Sequence, residues 1–379
     1  MTDAATVRDC TGQEIYYLLQ QKMKIQVINL SDSLWLETLE KLRHDIYHLP
    51  DYLYLESVRY NAVAEAILIA EDDKIFFLPY LLRRCDDIFD QSLTTQEVFD
   101  VVSPYGYPGI LLSETAASTK EFLDLAINQL ISTLRAKKVC SAFFRLHPIL
   151  NSGFNDFLSP DICKVNGETV SVNLNLSEAE IWSQTRPEHR TSINKLKRSG
   201  MIARMVPFQE YISEFISLYH ETMDRVGAGR SYYFDYQYFS HFSKLGEKVH
   251  LCIVELEDKI TCSGIFTECC GIIQYHLGGT RNEFFKQAPS KLMFDYIRFW
   301  AKERGNEVLH LGGGVGGGKD SLYHFKVGFS KQTHTFLTLR LIIDEEKYRH
   351  LLELRAKSLN TEVEELLSTN FFPAYRCPT

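Results

Sequence analysis

The sequence has no C-x-x-C pair among its nine cysteines, no H-E-x-x-H or comparable spacing among its twelve histidines, and no G-x-S-x-G elbow. These gaps argue against a zinc finger, a zinc hydrolase and a serine hydrolase of the α/β type. No apolar run approaches the roughly 18 residues of a membrane span, and the opening MTDAATVRDC lacks the apolar centre of a secretory leader. An excess of positive charge is also missing: 41 Lys and Arg stand against 49 Asp and Glu, a net charge of -8. That balance excludes a surface built wholly for nucleic acid but leaves room for a local basic strip. With an odd cysteine count and no leader, the expectation is a soluble cytoplasmic protein with reduced thiols.

What is present is ordinary globular material, 45% hydrophobic and 24% charged over 379 residues. That length predicts two domains, each able to bury a core. Periodicity predicts a strand over Met23 to Leu30, a helix over Leu34 to Tyr47 stopped at Pro50, and a hairpin of Val63 to Glu71 with Lys74 to Leu82. A Gly/Pro-rich loop, Ser103 to Gly109, precedes a helix over Lys120 to Lys137 and a strand over Val139 to Leu146. The second half repeats the order. Val249 to Leu256, Ile260 to Thr267 and Gly271 to Leu277 read as a meander, Ser290 opens a helix closed by Gly305, and a strand follows at Glu307 to Leu311. The echo predicts two similar α+β units, 1–168 and 169–343, followed by a charged helical tail, 344–379.

The richest stretch is VLHLGGGVGGGKDSLYHFKVGFSK, Val308 to Lys331, with six glycines in seven positions. Gly313 to Gly318 followed by Lys319 has the G-x-x-x-x-G-K spacing of a phosphate loop. Asp320, however, stands where a Ser or Thr hydroxyl should meet Mg²⁺, and its carboxylate would repel phosphate. The loop also comes late, with one short segment after it. The other reading is a wide turn that delivers Lys326 to a transfer site, where an amine attacking an ester or thioester needs orientation and a donor aimed at the developing oxyanion. A bland reading makes Lys326 a surface lysine, with Phe325 and Phe329 filling core. A second basic feature, RPEHRTSINKLKR, puts Arg186, Arg190 and Lys197 on one side of a helix, either as an anion-binding face or as a solvated one. Tyr275 and His276 are neighbours on a strand and so face opposite sides; one reading has one of them lining a cleft, the other gives each a core or surface role. Tyr105 and Arg145 are the comparable candidates in the first unit.

The duplicated unit, S-P-Y-G-Y-P-G at Ser103 to Gly109, F-F-R-L-H-P at Phe143 to Pro148, I-N-K-L-K-R-S-G ending at Gly200, and the late H-F-K-V-G-F together resemble the FemABX family, peptidoglycan bridge-forming aminoacyl transferases within the Gcn5-related N-acetyltransferase (GNAT) superfamily. The resemblance implies an α+β fold of two tandem GNAT-like domains, with the second on the donor side. It implies a cytoplasmic acyltransferase with no tightly bound cofactor and no metal, using aminoacyl-tRNA or acyl-CoA as co-substrate. The acceptor would be an amine of an anionic glycan or peptidoglycan precursor, with peripheral membrane association left open. It places the Phe325-Lys326 pair at the carbonyl under attack and makes Arg190 a candidate for the acceptor's phosphates. The turn Arg281 to Lys286 lacks the glycines with which acetyl-CoA enzymes cradle pyrophosphate. Two alternatives stay open: an acyl-CoA N-acyltransferase acting on an amino sugar or nucleotide sugar, and a non-catalytic module that grips an anionic ligand.

Overall fold

The chain is described by a computed structural model over residues 23–86 and 97–378. Its described strands are β1 (Lys24–Asn29), β2 (Val63–Glu71), β3 (Lys74–Arg84), β4 (Phe99–Val102), β5 (Leu111–Leu112), β6 (Val139–Arg145), β7 (Cys163–Asn173), β8 (Ile202–Val206), β9 (Val249–Leu256), β10 (Lys259–Cys269), β11 (Ile272–Thr280), β12 (Val308–Gly313) and β13 (Gln332–Ile342). They form one sheet in the order β1-β2-β3-β4-β6-β13-β7-β12-β11-β10-β9-β8, with β5 pairing β3.

That order contains a repeat with an exchange. In the first half β1 to β4 form an antiparallel run, and β4 pairs parallel with β6 after the Lys120–Ala136 helix crosses over. In the second half β8 to β11 form the same run, and β11 pairs parallel with β12 after the Ser290–Glu303 helix. The strand beside β6 is β13, from the second half, and the strand beside β12 is β7, from the first. β7 and β13 pair antiparallel with each other at the centre. The division expected at 168/169 therefore falls inside β7, a strand that serves both halves.

Both faces of the sheet are buried, and alternate side chains go to different cores. In β3, Phe76, Leu78 and Tyr80 pack on Phe122, Ala126 and Leu130 of the Lys120–Ala136 helix. Phe77 and Leu81 pack on Trp35, Leu39 and Leu53 on the opposite side. In the second half Phe266, Ile273 and Leu309 meet Met293 and Ile297, whereas Ile253, Ile265 and Leu277 meet Phe215 and Tyr219 together with Ile46, Tyr47 and Tyr52 of the first half. That last cluster joins the halves by apolar burial.

Two expectations change. The helix read over Leu34 to Tyr47 ends at Lys41, and a separate three-ten turn, Ile46–His48, follows. The cause is Asp45, whose buried carboxylate accepts the Ile46 N–H at 2.6 Å and so caps a new turn. Pro50, read as a stop, occupies the first position of the Pro50–Tyr60 helix, where no N–H is needed. The tail is packed: helices Glu345–Leu359 and Val363–Ser368 and the turn Ala374–Arg376 bring Tyr348, Leu352, Leu366 and Tyr375 against Cys85 and Cys140.

The tail is also locked by charge. Asp100, fully buried, accepts from Arg83 at 2.9 and 3.2 Å, from Tyr375 Oη at 3.1 Å and from the Arg376 guanidinium. Asp100→Ala removes the buried carboxylate that these groups share and should cost about 3–5 kcal/mol in urea unfolding, as breaking a buried pair does. A loss below about 1 kcal/mol would show that the tail is not held this way.

Candidate active site

The glycine turn follows β12 and ends at Asp320, the N-cap of the Ser321–Val327 helix. Asp320 accepts the Tyr323 N–H and the Val315 N–H, each at 2.9 Å, so the carboxylate itself occupies the amides that a phosphate loop would offer. Lys319 reaches Glu168 at 3.1 Å. The nucleotide reading is thereby removed. The glycines answer a different need, because the turn lies backbone to backbone on β7. A Cβ at Gly317 would stand 2.1 Å from the Asn166 carbonyl oxygen, and one at Gly313 would stand 2.6 Å from that of Glu168.

Lys326 is not a surface lysine. It is 5% exposed, and Nζ donates to the Gly313 carbonyl at 2.6 Å and lies 5.7 Å from the centre of the Tyr275 ring. Burial pulls its pKa down to about 7, with Asp320 opposing. Gly312, at φ +75°, brings this ammonium and the Tyr107 hydroxyl together, since an added Cβ there would lie 3.3 Å from each. The Gly313 N–H also points to Tyr107 Oη at 3.4 Å.

These groups surround a wedge in the sheet. Parallel pairing of β11 with β12 runs through Ile272, Ile273 and Gln274, opposite Val308, Leu309 and His310, and stops there, although β11 continues to Thr280. From Tyr275 to Gly279 the β11 edge has no strand partner on that side among the described residues, whereas the Thr280 N–H and carbonyl are taken by Thr222 and Arg225. The floor of the wedge is a buried polar chain. Asp45 Oδ2 accepts from His147 Nε2 at 2.9 Å and from Gln274 Nε2 at 2.6 Å, and Gln274 Oε1 accepts from His310 Nδ1 at 2.6 Å. Burial holds His310 well below the usual histidine range, hence neutral, and its Nε2 has no partner among the described residues. The Tyr107 ring meets it edge-on at 5.1 Å.

The structure brings Lys326 and Tyr275 together and places the other candidates elsewhere. His276 faces the opposite side of β11, stacked on Phe242 at 4.8 Å and 5.7 Å from Tyr105; burial lowers its pKa to about 3. Tyr105 lies with its ring 5.5 Å from the Arg59 guanidinium, and Arg59 borders a cavity of about 280 Å³ lined also by Leu55, Phe234 and Tyr238. Arg145 lies at the end of β6, within reach of the Ser103 carbonyl at 3.5 Å and over Phe143. Phe325 packs on Phe294, Phe329 and His189, at 5.8, 5.4 and 5.4 Å. Of the basic face on the Pro187–Arg198 helix, Lys197 is paired with Asp295 at 2.7 Å and Arg186 donates to the His324 carbonyl. Arg190 makes no ion pair among the described residues.

Sequence reasoning passed over Tyr107, Asp45, His147, Gln274 and His310. Tyr107 shares the loop motif with Tyr105, and the polar residues in VLHLGG and IIQYHL were the signal for the buried chain, because a polar group inside an apolar strand needs a partner.

No family model matches the sequence, and the curated proteins give no match. Among solved structures, FemX superposes with a TM-score of 0.65 at 13% identity, covering 86% of this chain and 99% of its own. The fold is that of FemX. A conserved protein of unknown function from Bacteroides thetaiotaomicron VPI-5482 follows at TM-score 0.51 and 12% identity, covering 84% of this chain and 99% of its own. The C-terminal domain of a putative lysylphosphatidylglycerol synthetase from Agrobacterium fabrum gives TM-score 0.50 at 13% identity, over 81% of this chain and 92% of its own. The α+β architecture of two like units, expected from the repeated order of elements, is the architecture observed, and it is shared with FemX. Among the described residues, no helix is long and apolar enough to cross a membrane.

The lowered pKa of Lys326 sets a pH dependence. Between about pH 7 and its ordinary value of 10.5, the unfolded lysine holds a proton that the folded one has lost, so its contribution to stability rises with pH in that window and is least favourable below it. Lys326→Met should therefore gain stability over the parent at pH 7 and lose that advantage toward pH 10, in chemical unfolding followed at several pH values. A difference that is flat with pH would mean that Lys326 titrates as an ordinary lysine.

Proposed function

We propose that the protein is an acyltransferase that moves an aminoacyl group from aminoacyl-tRNA onto an amine of a peptidoglycan-type precursor, within the cytoplasm. The observation that carries this is the wedge where β11 leaves β12, with the buried Lys326 ammonium at its side and, along it, the β11 edge from Tyr275 to Gly279 that has no strand partner among the described residues. An ester carbonyl lying along that edge would place its oxygen where Lys326 Nζ now meets the Gly313 carbonyl. As the amine attacks, charge grows on that oxygen, and a donor already desolvated and aimed at it stabilises the transition state more than the ground state. A lysine titrating near 7 is present partly as ammonium at neutral pH, so it can donate there. Tyr107, Tyr275 and the glycine backbone orient the ester and exclude water. Likeness of fold to FemX supports the reaction class, and the residue chemistry supports the role of Lys326.

Between the two donors, the turn after β11 favours tRNA. Asn282 to Gln287 is wound into a three-ten helix, the Asn282 N–H is taken by the Glu221 carboxylate, and the Arg281 guanidinium is held by Glu214 and Glu221. Two carboxylates thus stand where pyrophosphate would need free amides, which counts against the acyl-CoA alternative. For the acceptor, the cavity between Leu55 and Arg59 of the first half and Phe234, Tyr238 and His241 of the second offers an aromatic wall suited to a sugar or peptide, while the Arg59 guanidinium is already paired with Glu56 at 3.2 Å. The reading as an idle anion-binding module has less support, because the Lys197 charge of the basic helix is already paired.

The test is transfer of a radiolabelled aminoacyl group from charged tRNA to nucleotide-linked muramyl peptide by the full chain. Lys326→Met should lower the rate by about 10²–10³-fold while the fold is retained, the size expected for loss of one oxyanion donor. Undiminished transfer by that variant would remove Lys326 from the mechanism. Acetyl-CoA at saturating concentration should leave the melting temperature unchanged, and a rise of several degrees would instead favour the acyl-CoA alternative.

A further inference from the structure

Away from the wedge, the turn between β10 and β11 presents two adjacent cysteines to a histidine from the other half of the chain. Adjacent strand residues ordinarily face opposite sides. Cys270 instead adopts a left-handed conformation, φ +44°, which brings its sulfur round to 4.0 Å from that of Cys269. His44, 226 residues earlier, lies with Nδ1 3.6 Å and Nε2 3.8 Å from Cys270 Sγ. One ligand atom from each of the three residues lies within 4.8 Å of the others. In a tetrahedral zinc site with Zn–S near 2.3 Å and Zn–N near 2.0 Å, two sulfurs stand about 3.8 Å apart and a sulfur and a nitrogen about 3.5 Å apart. The two spacings to Cys270 are close to these, the Cys269 to His44 separation lies within 4.8 Å, and the remaining contraction falls to the exposed Cys270 and the half-buried His44 ring.

The surroundings also suit a metal. His44 Nδ1 lies 2.9 Å from the Leu42 carbonyl oxygen, and since a carbonyl can only accept, Nδ1 carries the proton and Nε2 keeps its lone pair. A ring nitrogen tied to a backbone carbonyl while its partner is free is the arrangement that supports metal-bound imidazoles. Cys269 is buried and Cys270 exposed, so three protein ligands leave a fourth position toward solvent.

We infer that His44, Cys269 and Cys270 form a binding site for a thiophilic divalent cation of the zinc class, which ties the first half of the chain to the β10–β11 turn of the second. Two thiolates and an imidazole select such a cation over magnesium or calcium, which take oxygen ligands. The cross-link would lie beside the Arg43–Glu307 ion pair, 2.8 Å long, which spans the same junction, and one residue from Asp45 at the floor of the wedge.

The full chain, stripped of metal and kept reduced, is titrated with Co²⁺ and then with Zn²⁺. One equivalent of Co²⁺ should produce thiolate-to-metal charge-transfer absorption that Zn²⁺ abolishes, and Zn²⁺ should raise the melting temperature. Cys270→Ser should lose both responses, and His44→Gln should bind about 10–100-fold more weakly or worse, the range already seen on losing an outer-shell partner. Cys377→Ser, away from the cluster, should behave as the parent. Absence of stoichiometric uptake by the parent, or absorption that persists in Cys270→Ser, would overturn the site. Both variants lie at exposed or half-buried positions, and their melting temperatures without metal report whether they fold.

Discussion

The structure depends on the antiparallel pairing of β7 with β13. Each strand closes the half of the chain to which it does not belong, so neither run of strands has its inner edge satisfied unless both halves have folded. Unpaired edge amides are costly when buried, and this exchange makes the two halves one sheet. It also places the site. The segment from the end of β12 to the start of β13 must cross back to the centre of the molecule, and that crossing is the glycine turn with the Lys326 helix. The turn can run along β7 only where side chains are absent, at Gly313 and Gly317.

The second constraint is polar. Asp45, His147, Gln274 and His310 come from four separate segments and meet in a fully buried chain. In a low-dielectric interior each of these groups needs its partner, so the chain specifies how the halves meet more than it adds net stability. It lies where β11 and β12 part, and among the described residues it leaves one acceptor, His310 Nε2, without a donor at the floor of the wedge. Such an acceptor beside a buried lysine of lowered pKa is the kind of arrangement found where protons are moved.

Much of this was legible beforehand. The hairpin Val63 to Leu82, the helices near Lys120 and Ser290 and the meander after Val249 follow from periodicity, and their twofold order points to a duplicated unit. Asp320 could be read as hostile to phosphate, and the structure shows it capping the Ser321–Val327 helix. Errors came where tertiary contacts outweighed local pattern: the buried Asp45 carboxylate divided a helix that periodicity ran through to Tyr47, and Pro50 began a helix instead of ending one. The basic helix looked like an anion-binding face because its spacing is visible, whereas Asp295, which takes up Lys197, lies 98 residues away in sequence.

The sequence by itself determined the strands, the helices, their repetition and the lysine after the glycines, because these rest on neighbours a few residues apart and on alternation of apolar side chains. Only the tertiary structure decided that β7 and β13 change places, that Lys326 is buried on the Gly313 carbonyl, and that Tyr107 belongs with it while His276 faces away. Strand order, desolvation and the convergence of distant polar groups depend on which segments meet in space, and local spacing does not encode that.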